Sequence, residues 1–111
     1  MLVTRSSPFG GRTRTLVLLS LCLLTESFPR ELSRILAMSL NGVQQALKSL
    51  EGAGLVSGRT VGRTRLFRLN PRYFAARELE DYLRRLAEPE VALRRKVESL
   101  RRRPRRTGKA F

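Results

Sequence analysis

Between Leu16 and Leu24 the only strongly polar residue is Ser20. A segment this apolar has no face to turn toward water. Its length and pattern predict a helix over about residues 12–25, and a helix that is apolar nearly all round has to be covered on several sides. A chain of 111 residues offers one domain with little interior in which to bury it. The expectation is therefore a dimer, with a second copy of the chain supplying the missing cover. The basic residues before the run, Arg5, Arg12 and Arg14, imitate a secretory signal peptide. The imitation is incomplete: the run is shorter than the roughly 20 apolar residues a membrane span needs, and Glu26 stands where a small neutral cleavage context is wanted. A cytoplasmic chain with no membrane partner is expected.

The remaining pattern predicts a mainly α chain with a small β-hairpin. Pro29 suits the first position of a second helix, with Leu32, Ile35 and Leu36 at helical spacing. A break at Met38-Ser39-Leu40 precedes a third helix over about 40–52. Its apolar positions are Val43, Leu47 and Leu50, and Gly52 and Gly54 bracket its end. Two β-like segments follow on either side of Gly62-Arg63-Thr64, and Asn70-Pro71 closes the hairpin. A last helical stretch over about 72–100 carries Phe74, Leu79, Leu83 and Leu86 as one apolar stripe, then Val91, Leu93, Val97 and Leu100, with a break or kink at Pro89. The chain thus divides into an N-terminal arm (1–11), a domain (12–100) and a basic tail (101–111).

Charge narrows the function. Lys and Arg total 23 against 9 Asp and Glu, a net charge of +14, which points to a polyanionic partner. The excess is densest in Arg101, Arg102, Arg103, Arg105 and Arg106, a run that serves solubility, phosphate contact or both. The chain has no His and one Cys. That leaves no evident nucleophile–base pair, no disulfide and no cofactor or metal site, so no enzyme is expected.

Helix, turn, helix and hairpin in that order describe a helix-turn-helix with a wing. The segment Ser39-Leu40-Asn41-Gly42-Val43-Gln44-Gln45-Ala46-Leu47-Lys48-Ser49-Leu50-Glu51-Gly52-Ala53-Gly54-Leu55-Val56 resembles the recognition helix and exit of ArsR-type winged-helix transcriptional regulators. Gly62-Arg63 followed by Phe67-Arg68-Leu69 is similar to their wing, and the likeness spans about residues 14–88. It implies a winged helix-turn-helix with a long C-terminal helix. It also implies a homodimer through the first and last helices, and repression by occupancy of double-stranded DNA. Metal sensing, common in that family, is not expected, because Cys22 stands alone and Asp81 has no His beside it.

The residues suggest their own roles. With Val43, Leu47 and Leu50 turned inward, Asn41, Gln44, Gln45 and Lys48 fall on the outer face. Asn and Gln can bond an adenine edge bidentately, which makes Gln44 and Gln45 candidates for direct readout, while Lys48 suits the phosphate backbone. Ser39 caps the helix or touches phosphate. Gly42 is unusual inside a helix and suggests close approach to DNA or to the preceding helix. Arg59, Arg63 and Arg65 are the wing candidates, with Arg68 further down the strand, either as a further basic group of the wing or paired with a local carboxylate. Two rival readings are a winged helix used for protein contact and a basic protein that grips nucleic acid without reading it.

Overall fold

The apolar run forms α1 (Arg12–Leu24), which occupies the centre of the molecule in a computed structural model describing residues 8–102. β1 (Glu26–Ser27), α2 (Pro29–Leu36), α3 (Leu40–Gly52), β2 (Val56–Val61), β3 (Thr64–Leu69), α4 (Ala76–Ala87) and α5 (Val91–Arg102) follow. The described residues are mainly helical, with one three-stranded antiparallel sheet among them in the order β1-β3-β2. Residues 1–7 of the expected arm and 103–111 of the expected tail lie outside the described residues.

Leu16, Val17, Leu18, Leu19 and Leu21 are fully buried within a single chain. α1 packs against all four other helices and against β1 and β3, so it needs no second copy to leave water. The expectation of a dimer made necessary by this helix is corrected accordingly. The one strongly polar residue of the Leu16–Leu24 run causes no conflict, since the Ser20 hydroxyl donates to the Leu16 carbonyl at 2.8 Å, one turn back.

The cover comes from a feature that the sequence reading joined into one. The long C-terminal helix is two helices of 12 residues each, and Phe74, expected on its apolar stripe, stands in the turn before α4 and is exposed. Pro89 has no N–H to give the preceding turn. The backbone tightens instead, with the Glu88 N–H on the Arg85 carbonyl and the Glu90 N–H on the Ala87 carbonyl. α5 then folds back against α1 and α2, burying Leu93 and Val97. Arg101 and Arg102 belong to this helix and not to a tail; the Arg101 guanidinium donates to the Leu23 carbonyl at the end of α1.

α2 and α3 meet through a tight connection. Ala37 adopts a left-handed conformation (φ 54°, ψ 46°), its N–H bonds Arg34 and the Met38 N–H bonds Ser33. This is a Schellman closure, with alanine at the position that usually holds glycine. α3 ends the same way, this time with Gly54 in the left-handed position and the Leu55 N–H on the Leu50 carbonyl. The hairpin turns through Gly62 and Arg63, with a positive φ (63°) at Gly62 alone of the two. Glycine at the first central position fits a two-residue turn that matches the strand twist. The two-residue β1, absent from the sequence reading, lies on the far side of β3 with Ser27 opposite Phe67.

Candidate functional site

The inner face of α3 is set by Val43, Ala46, Leu47 and Leu50, all buried. Packing them leaves Asn41, Gln44, Gln45 and Lys48 exposed on the outer face, where the periodicity puts them. Ser39 is the N-cap: its hydroxyl accepts the Gly42 N–H at 3.1 Å. Among the described residues, the one neighbour a Cβ at Gly42 would meet is the Ser39 Oγ, at 3.0 Å. No atom of α2 comes within 4 Å of that position, so packing against α2 does not explain the glycine.

The outer face is not uniform. Gln44, Leu47, Lys48 and Glu51 share one side of the helix, and together with Pro29, Arg63, Thr64, Arg65 and Phe67 they line a cleft of about 480 Å³ between α3 and the hairpin. Asn41 and Gln45 are not among the residues that line that cleft. On the side toward α1, the Arg14 guanidinium donates to the Ser49 hydroxyl, a link that sequence reading missed.

The strand register separates the hairpin arginines. Val56, Gly58 and Thr60 face Leu69, Phe67 and Arg65 across the ladder, so these six share one side of the sheet. Ser57, Arg59 and Val61 share the other with Arg68, Leu66 and Thr64. Arg65 therefore stands over the α3 cleft, whereas Arg59 faces away from it. Arg59 reaches Glu26 on β1 at 3.5 Å. Arg68, expected to find a local carboxylate, is opposite Glu26 in the ladder, but it is Arg59 that pairs with that carboxylate. Arg63, at the exposed turn, is on the rim of the cleft beside Gln44 and Lys48.

Arg65 is held from within the protein. Its two terminal nitrogens donate to the two carboxylate oxygens of Glu51 at 2.9 and 2.7 Å, and Nη2 also donates to the Gly58 carbonyl at 2.9 Å. The guanidinium carbon lies 5.0 Å from the centre of the Phe67 ring. This fork holds the Glu51 carboxyl below its ordinary range, chiefly through the hydrogen bonds from Arg65. The partners are 14 residues apart, on different elements, and no local spacing rule could have paired them.

Elsewhere, Cys22 is half-buried, with its thiol 3.9 Å from the Glu80 carbonyl. Burial pushes its pKa up, and the nearby Arg84 opposes this only in part. Among the described residues no group of three or more Cys, Asp or Glu side chains gathers as a metal site would require. Among the same residues no helix is long and apolar enough to cross a membrane. A scan against protein-family models and a search of curated proteins return no match for this chain.

Proposed function

We propose that the face formed by α3 and the β2–β3 turn binds double-stranded DNA and reads its sequence, making the chain a transcriptional regulator of the winged helix-turn-helix kind. One observation carries this reading. The exposed polar row of α3, including Gln44 and Lys48, opens onto the same cleft as Arg63 at the hairpin turn. A helix fits the major groove and offers its outer side chains to base edges. A basic hairpin turn beside it suits the adjoining phosphates or minor groove. In this reading Gln44, Gln45 and Asn41 contact bases, while Lys48 and Arg63 hold the backbone. Ser39 acts as a cap, and Arg59 and Arg65 are not contacts. The net charge of +14 supplies the attraction that any such binding needs.

The resemblance to ArsR-type regulators extends this to a cytoplasmic homodimer that represses by occupying its operator. Because α1 is enclosed, the self-association surface in this proposal is α4 and the loop before it. Phe74 there is 91% exposed, and Tyr82 packs on Phe9 at the surface. Two copies would then present two α3 helices to half-sites about one helical turn apart.

Fluorescence anisotropy tests the reading, with duplexes tiling the DNA upstream of the chain's own coding sequence, shuffled controls and two salt concentrations. One tile is expected to win by more than about tenfold at the higher salt, since specific sites commonly win by about 10³ or more. Arg63→Ala is expected to lower the salt slope by about 1, and Arg59→Ala to leave it unchanged. Equal binding to every tile, lost with salt, would refute sequence reading.

A further inference from the structure

The fork between Glu51 and Arg65 joins the last turn of α3 to the strand that follows the hairpin turn. Arg65 is two residues beyond Arg63 on β3, and Glu51 is one helical turn beyond Lys48 and two beyond Gln44. Both ends of the fork line the cleft that separates these groups. The sheet is built to let the fork form. Gly58 lies directly opposite Phe67, and a Cβ on it would come within 2.8 Å of the Phe67 ring and 2.9 Å of Arg65 Nη2. The guanidinium therefore crosses the sheet through the space that glycine leaves, resting on the Phe67 ring and on the Gly58 carbonyl. Phe67 is buried and cannot retreat.

We propose that Arg65 and Glu51 are positioning residues of the DNA-binding face: their bidentate pair holds the hairpin turn at a set distance from α3, so that Arg63 meets the DNA backbone while the α3 side chains meet the groove. The inference rests on the DNA-binding reading above. It goes further by assigning an acidic residue a favourable part in binding a polyanion. Glu51 places a carboxylate in the cleft, and by charge alone it opposes DNA. Through its pair it favours DNA, by keeping the turn from spending binding energy on being ordered. Arginine suits this role better than lysine, because its planar donors match both carboxylate oxygens at once.

The sign of one substitution separates the two effects. Glu51→Gln removes a negative charge from the face and breaks the charge-assisted fork. If repulsion governs, it tightens DNA binding; if positioning governs, it weakens it. The expected result is weakening by about twofold, the scale set by a partly exposed pair. Arg65→Lys, which keeps the charge and loses the fork, should weaken binding by a similar factor with an unchanged salt slope. Arg63→Ala should lower that slope. In the free protein, amide hydrogen exchange at Val61–Thr64 should accelerate in both Glu51→Gln and Arg65→Lys, while circular dichroism confirms that each is folded. Tighter or unchanged DNA binding by Glu51→Gln overturns the proposal. So does a salt slope that falls by about 1 in Arg65→Ala, which would make Arg65 a phosphate contact. If the wild-type protein binds no duplex, the DNA-binding reading itself fails and the positioning role fails with it. Wild-type binding combined with an indifferent Glu51→Gln removes the positioning role alone.

Discussion

Replacing Leu18 by alanine tests whether one chain encloses α1 on every side. The substitution removes three carbons from a fully buried side chain. At about 0.8 kcal/mol per buried methylene the transfer loss is about 2.4 kcal/mol. The cavity adds to this wherever neighbours cannot close in, and Leu→Ala changes in cores span about 2–5 kcal/mol for that reason. α1 touches every other helix and two strands, so the gap has no free side from which to collapse, and a loss of about 4 kcal/mol is expected. Leu93→Ala is the matched control. Leu93 is equally buried, but its helix lies at the periphery with Arg94 and Arg95 in solvent and can shift inward, so about 2.5 kcal/mol is expected. Urea unfolding of the three proteins, with unchanged m-values, gives both numbers. A Leu18→Ala loss no larger than that of Leu93→Ala, or one below about 1 kcal/mol, would refute the enclosed helix and return α1 to an interface with another molecule.

Three further predictions follow from particular residues. Ala37→Gly is expected to stabilise the protein by about 0.5–1 kcal/mol in the same assay, because relief of the left-handed alanine outweighs the added freedom of the unfolded chain; a net loss would show that φ 54° carries no strain there. Glu51 has a lowered pKa in the folded state, so its contribution is complete at neutral pH, above the ordinary carboxyl value of 4.5, and fades as pH falls through the lowered one. The stability gap between wild type and Glu51→Gln, about 0.5 kcal/mol after discounting for solvent exposure, should therefore close on acidification; a gap that persists in acid sinks the assignment. Cys22, whose pKa is raised by burial, should react with a disulfide reagent at mildly alkaline pH more slowly than the same thiol in denaturant. Equal rates would mean that the contact between α1 and α4 opens freely.

Much of the architecture was legible in local patterns because local physics decides it. The periodicity of Val43, Leu47 and Leu50 settles which side of α3 faces inward, and Gly54 and Asn70-Pro71 mark stops through their backbone preferences. The outer row of Asn41, Gln44, Gln45 and Lys48 follows from the same periodicity and was read correctly as exposed. Period-2 alternation likewise places Phe67 and Leu69 on one face of the hairpin, and the strand register agrees. Pro89 announced a break in the last helical stretch, although its consequence, a reversal that lays α5 over α1 and α2, depends on contacts between distant residues.

What the tertiary structure alone decided has one physical source: pairings between groups far apart in the chain. Composition shows that α1 must be covered, but only packing shows that α5 covers it in place of a second molecule. Composition counts arginines, but only strand register and the position of α3 divide them. Arg59 turns to the far side of the sheet, Arg65 closes on Glu51, and Arg63 is left at the rim of the cleft. Residue type and local spacing set each side chain's surroundings along its own helix or strand. Which charges find partners inside the protein, and which stay available to a ligand, is settled when those elements meet.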